Sequence, residues 1–64
     1  MKCWNCEIEE VKLVVIADDG YYAPKGVCAD EECIENACVS QYSLVTVVSL
    51  DDCPADEKEY IEHA

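Results

Sequence analysis

Six cysteines fall within 64 residues, and this density constrains the fold more than any other feature of the chain. A chain this short buries little apolar surface and commonly depends on disulfides, a metal ion or a partner to stay folded. Met1 and Lys2 lead directly to Cys3 with no apolar signal segment behind them, which predicts a cytoplasmic protein in a reducing environment. Clustered cysteines in that compartment bind metal more often than they form disulfides. We therefore predict one metal-stabilised domain over residues 1–64.

The cysteines include two pairs with the spacing of metal ligands. Cys3 and Cys6 form a C-x2-C pair, which lets one turn direct two sulfurs at one ion, and Cys28 and Cys33 form a C-x4-C pair. Tetrahedral thiolate sites take zinc or iron. Zinc is favoured because neither pair is followed by the glycine typical of rubredoxin-like iron knuckles. The predicted metal ligands of a structural Zn²⁺ are Cys3, Cys6, Cys28 and Cys33.

The two remaining cysteines leave alternatives open. Cys38 competes with Cys28 or Cys33 as a ligand, but it lies about 140° around an ideal helix from Cys33. It is better explained as a small buried apolar residue beside Ile34. Cys53 is expected to be a packed thiol or cap at a helix entrance. A Cys38–Cys53 disulfide and a second metal site with His63 are the alternatives.

The first half of the chain is predicted to contain a hairpin. Residues 11–17 are rich in β-branched side chains and indicate a strand. The sequence 18–20 ends in Asp-Gly, which favours a tight turn, so residues 21–23 are the expected return strand. Pro24 is expected to end the pairing because it lacks a backbone donor. Gly26 is expected to let the chain turn beneath the metal.

The second half is predicted to contribute a helix, a strand and a short helix. A helix is expected over residues 30–41, capped by Asp30. Residues 43–50 form a strand that is apolar on both faces, so that both faces are covered or one meets a partner. A polar, loosely attached helix follows from Pro54 to about His63. The predicted fold class is α+β: a treble-clef or zinc-ribbon-like core over residues 3–42, with an added strand and helix over residues 43–64.

One family shares this layout. The sequence Cys3-Trp4-Asn5-Cys6, the hairpin, and residues 26–35 with Cys28 and Cys33 opening an acidic helix resemble the N-terminal zinc-binding domain of the ClpX unfoldase. The second pair here has four intervening residues where that domain has two. The resemblance implies structural zinc, dimerisation through apolar surface and binding of adaptor or client proteins. It implies no catalytic residue.

The charge of the chain limits its partners. A formal net charge of −11 repels phosphate backbones and anionic membranes. We therefore expect a protein partner with a basic surface, no direct nucleic-acid contact and no membrane contact. The carboxylates fall mainly at the predicted helix start and in the C-terminal tail. The apolar strand from Leu44 to Leu50 offers a homodimer contact. Trp4, between two predicted ligands, is expected to shield the ion or to anchor a partner.

An enzyme is not expected, and several functions compete. His63 is the only histidine, no Ser-His-Asp pattern or phosphate-binding glycine loop is present, and an all-thiolate site is closed to substrate. The leading hypothesis is an acidic zinc module for protein–protein interaction, in the style of a phage product that modulates a host protein. The alternatives are a nucleic-acid mimic that blocks a basic protein, a redox or electron-transfer thiol or iron protein, and a secreted three-disulfide scaffold.

Overall fold

The computed structural model describes residues 1–19, 22–41 and 44–63, and within them the fold is α+β as predicted. No helix in these ranges is long and apolar enough to cross a bilayer. The elements in chain order are β1 (Leu13–Ala17), β2 (Lys25–Val27), α1 (Glu31–Ser40), β3 (Val45–Ser49), a 3₁₀ turn (Leu50–Asp52) and α2 (Ala55–His63).

The three strands form one antiparallel sheet in the order β2-β1-β3. Val15 of the central strand β1 lies opposite Lys25 on one side and Val47 on the other. Val14 and Val15 are both fully buried. The β-branched sequence of β1 therefore fits a strand that is covered on both faces.

The hairpin prediction was right about the pairing of two strands and wrong about the second strand. Residues 22–24 lie outside the strands, and β1 pairs with Lys25–Val27 instead. Pro24 therefore precedes the return strand and does not end it. Gly20 and Tyr21 lie outside the described residues, so the predicted Asp-Gly turn is not tested. Gln41 holds the connecting loop, because its Nε2 donates to the backbone oxygen of Ala23 at 3.0 Å.

The two helices lie on opposite faces of the sheet. Val15 and Val27 point to the face where Ala37 of α1 packs among the buried cysteines. Gly26 points to the other face because successive residues of a strand alternate. There a β-carbon on Gly26 would lie 3.0 Å from side-chain carbons of Ile61 in α2 and of Val11. Gly26 is therefore required for close packing within a strand, and its predicted role in a turn beneath the metal was wrong.

Helix α1 begins and ends close to the predicted positions. The Asp30 side chain accepts a hydrogen bond from the Glu32 backbone at 2.9 Å, which makes Asp30 the N-cap. Cys33 and Ala37, one turn apart, are its buried residues. The cap geometry of α1 thus fixes where Cys33 enters the core.

Helix α2 starts directly after Pro54, whose carbonyl accepts from the Lys58 N–H at 3.0 Å.

Strand β3 is less covered than its apolar sequence predicts. Thr46 and Val47 are exposed, and the other three residues of β3 are only partly buried. The prediction that both faces are covered was therefore wrong. The open alternative, that this strand meets a partner, is taken up below. Ser43 lies outside the described residues, and Leu50 belongs to the 3₁₀ turn.

Candidate metal centre

The fold brings the four predicted ligands together. The Sγ atoms of Cys3, Cys6, Cys28 and Cys33 all lie within 4.8 Å of one another. A tetrahedral zinc ion with Zn–S bonds of about 2.3 Å requires sulfurs about 3.8 Å apart. Small side-chain movements would therefore complete a mononuclear site. A polynuclear iron–sulfur cluster would need sulfurs spread around several irons, which this compact arrangement does not provide.

The first pair is held by a tight turn. The Cys3 N–H donates to the Glu9 carbonyl at 2.8 Å, and the Cys3 carbonyl accepts from the Glu7 N–H at 3.0 Å. Glu7 has a φ of 59°, which places it in the left-handed region that favours glycine. The chain thus adopts the conformation of a metal-binding knuckle although the residue after Cys6 is not glycine.

Replacing Glu7 by glycine is expected to stabilise the fold by about 1 kcal/mol. An L-residue in the left-handed region costs about 1–2 kcal/mol, and glycine removes that cost. Part of this gain is lost because glycine gives the unfolded chain more conformational entropy. Urea denaturation of the metal-loaded protein measures the change. Glu9→Gly is the matched control, since it removes the same charge at a described residue without positive φ. The control should destabilise. Equal effects of the two substitutions would contradict the backbone explanation.

The second pair is placed by β2 and α1. Cys28 directly follows β2, and Cys33 lies in the first turn of α1. Both are buried, with exposed fractions of 3%. The strand end and the capped helix start therefore set the spacing of this pair, which explains why four intervening residues still bring both sulfurs to one point.

A relay of two asparagines supports the site, and sequence reasoning missed it. Asn36 donates its Nδ2–H to Asn5 Oδ1 at 3.1 Å, and Asn5 in turn donates its Nδ2–H to Cys33 Sγ at 3.3 Å. The first bond orients the Asn5 amide so that its donor faces the sulfur. Such outer partners fix the orientation and charge of a ligand. The only signal in the sequence was the position of Asn5 inside the C-x2-C pair.

Asn5→Ala is expected to weaken zinc binding by about 10–100-fold, since outer-shell partners of ligands typically contribute that much. Competition titration against a chromophoric zinc chelator measures the constant. Asn36→Ala should produce a smaller loss in the same direction, because it removes only the orienting bond. An Asn5→Ala protein with unchanged zinc affinity would show that the amide–sulfur contact is incidental.

Cys3 differs electrostatically from the other ligands. Burial raises the pKa of its thiol, but the backbone N–H groups of Cys6, Cys28 and Asn5 outweigh burial and lower the pKa from 9.0 to about 6. These donors stabilise the thiolate. Cys3 is therefore the position where negative charge is already stabilised at neutral pH.

The second pair stays protonated without a metal. The Asn5 amide lowers the pKa of Cys33, but burial and the neighbouring sulfurs raise it to about 12. The Asp30 N–H likewise lowers the pKa of Cys28, but burial and the sulfurs of the first pair leave it raised above 9.0. An ion bound by both thiolates must displace both protons at neutral pH.

Zinc affinity is therefore expected to fall as the pH falls. Both second-pair thiols carry a proton in the free protein below their raised pKa values and none in the bound state. Each unit of acidification from neutral pH should weaken binding by at least about 100-fold, a factor of about ten for each of these two displaced protons. Competition titrations at several pH values measure this slope. A decrease of tenfold or less per unit would contradict the proposed ligand set.

The other cysteines lie outside the cluster. None of the six cysteines forms a disulfide, so the structure contains neither the Cys38–Cys53 bridge nor a three-disulfide scaffold. Cys38 packs against the core, as does Ile34, but it is only partly buried where full burial was predicted. Burial, and secondarily Glu57, raise the pKa of Cys53. Neither Cys38 nor Cys53 joins a metal-binding group within the described residues. The side chain of His63 lies outside the described part of the chain, so the alternative metal site that includes His63 is not tested.

Trp4 lines a surface groove. The residue is 42% exposed, and Lys25 Nζ lies 5.1 Å from the centroid of its ring, within cation–π range. The groove has a volume of about 570 Å³, and Tyr60 and Ile61 form part of its wall. Shielding of the ion by Trp4 stays a prediction.

The fold and the cluster define a class: a small α+β module with four cysteines gathered at metal-binding distance. Comparison with family models, with curated proteins and with solved structures finds no match for this chain. These comparisons therefore show neither a similarity to the ClpX domain nor membership of any family.

Proposed function

We propose that this chain is a structural zinc module that works by binding a basic surface of another protein. The observation that supports zinc most directly is the set of four sulfurs within 4.8 Å, three of them on buried residues. Four thiolates saturate a tetrahedral ion and leave no position for substrate or water. The ion therefore stabilises the fold, and we propose no catalysis.

The binding surface of this proposal is the start of α1. The α1 acidic patch consists of Asp30, Glu31, Glu32 and Glu35, all of them exposed. Helix α1 is anchored by its cap and by the buried Cys33 and Ala37, so the patch is already ordered before binding. Pre-ordered charges lose less entropy on association and steer encounter with a basic partner.

The carboxylates of α2 form a separate group. Helix α2 packs over Gly26 on the opposite face of the sheet from α1. One flat partner surface therefore cannot cover both helices. This separation makes α2 a matched control for the α1 acidic patch.

Native mass spectrometry tests the metal half of the proposal. Protein expressed in zinc-supplemented cells should carry one zinc ion per chain, and a chelator should remove it. Iron in the same position, with visible absorption, would support the electron-transfer alternative instead. A metal-free, folded protein would overturn the zinc proposal.

Two double variants test the binding half. The probe is a lysine-rich helical peptide, and binding is followed by surface plasmon resonance. Glu32→Gln/Glu35→Gln should slow association more than Asp56→Asn/Glu59→Gln, although both variants remove two charges. Equal slowing would show that only the net charge acts and would overturn a docking role for the α1 acidic patch.

A further inference from the structure

The two edges of the sheet differ in whether another backbone segment covers them. The edge of β2 is met by the N-terminal segment, since the Trp4 N–H donates to the Gly26 carbonyl at 2.8 Å. Strand β3 pairs with β1 on one side only. Across the described ranges, no strand or backbone hydrogen bond covers its other side. Natural proteins usually protect such an edge, because it is a template for pairing.

The register shows which backbone groups face outward. The Asp18 N–H donates to the Leu44 carbonyl, and the Leu50 N–H donates to the Lys12 carbonyl, so the even-numbered residues of β3 bond to β1. Hydrogen-bonded and non-hydrogen-bonded pairs alternate in an antiparallel ladder. The N–H and C=O groups of Val45, Val47 and Ser49 therefore point away from the sheet.

The sequence of this edge is complementary to itself. The β3 edge segment, residues 44–50, reads Leu-Val-Thr-Val-Val-Ser-Leu and has Val47 at its centre. We propose that two copies of the chain pair antiparallel through this segment, about a two-fold axis at Val47. Val47 then lies opposite its own copy and Val45 opposite Ser49, while Leu44 faces the start of the copy's 3₁₀ turn at Leu50. Each outward-facing pair exchanges two hydrogen bonds.

Exposure and charge favour a second copy as the occupant. Leu44 is 81% exposed and Val47 is 42% exposed, and the pairing would cover both. The segment carries no charged residue in a chain of net charge −11. A basic partner would find no carboxylate within it, whereas an identical neutral edge offers matched apolar side chains. A two-fold contact of this kind is closed and produces a dimer rather than a fibre.

The dependence on salt distinguishes this contact from the proposed binding of a basic protein. Two copies of the same acidic chain repel one another, and salt screens that repulsion. Sedimentation velocity should therefore show a monomer–dimer equilibrium that shifts towards the dimer as sodium chloride is raised. Binding of the acidic chain to a basic partner should instead weaken as sodium chloride is raised. A chain that stays monomeric at every salt and protein concentration would overturn the proposal.

Hydrogen exchange by NMR supplies a residue-specific test. The amides of Val45, Val47 and Ser49 should gain protection as the protein concentration rises. The amides of Thr46 and Val48 bond to β1, so they should be protected at all concentrations. A dimer that leaves the three outward amides unprotected would place the contact elsewhere and overturn the proposal.

Two variants at the centre of the segment complete the test. Val47→Pro removes an outward N–H that the chain's own sheet does not use, so it should weaken dimerisation by about tenfold or more. Val47→Lys places two lysines directly opposite one another at the axis, with β-carbons about 5 Å apart, and the like charges should weaken dimerisation similarly. This second variant preserves the test if the proline variant does not fold. Val47→Thr keeps the donor and should still dimerise. Dimers of undiminished affinity in both of the first two variants would overturn the proposal.

Discussion

The metal-free, fully reduced protein is expected to lose its sheet and both helices in a single transition. A chain of 64 residues obtains only about 3–5 kcal/mol from its core. Structural zinc sites contribute an apparent 10–16 kcal/mol or so in small domains. Three of the four ligands belong to the buried core itself, so removal of the ion leaves thiols where the core is centred. Far-UV circular dichroism and amide dispersion in NMR spectra, with and without chelator, measure this loss.

Single serine substitutions separate the ligands from the other cysteines. Cys28→Ser should abolish stoichiometric zinc binding and unfold the chain, because serine is a poor zinc ligand. Cys38→Ser and Cys53→Ser should keep both the zinc and the fold, since neither residue joins the cluster. A Cys28→Ser protein that retains native amide dispersion without metal would refute the role of the ion.

Gly26→Val is expected to destabilise the metal-loaded protein by about 1–3 kcal/mol, as overpacking of a filled site typically does. The first added carbon would already lie 3.0 Å from Ile61 and from both methyl groups of Val11. The γ-methyl groups of valine would extend further into the space between β2 and α2. Urea denaturation of the zinc-loaded variant gives the change in free energy of unfolding.

A double-mutant cycle tests the packing explanation. Ile61→Ala removes one of the two side chains that a larger residue at position 26 would meet. The cost of Gly26→Val should therefore be smaller in the Ile61→Ala background, by about 0.5 kcal/mol or more. Strictly additive costs would mean that α2 does not pack on Gly26 and that the loss comes from Val11 or the strand alone.

Features encoded by neighbouring residues were predicted well from the sequence. Asp30 and the acidic residues after it define the start of α1 through contacts within one turn, and the structure has this cap. The spacing of the four cysteines predicts that their sulfurs lie together, and the structure brings them within 4.8 Å of one another. The cap signal depends only on residues within one helical turn, and the cysteine signal depends on a residue type that binds metal at a recognisable spacing.

Features that depend on distant contacts were predicted poorly. The Asp-Gly signal favoured a return strand over residues 21–23, but β1 pairs with Lys25–Val27, where Gly26 lets Ile61 of α2 approach. The role of Asn5 depends on its contact with Cys33, which lies 28 residues away in sequence. Neither contact can be read from the neighbours of the residues involved.

The position of the ligands along the chain has a consequence for synthesis on the ribosome. All four proposed ligands precede residue 34, whereas β3 and α2 come later. Domains form from the N-terminus as the nascent chain emerges. Under the zinc proposal, an ion can therefore bind while β1 still lacks its second neighbour, and the growing polypeptide supplies that neighbour last.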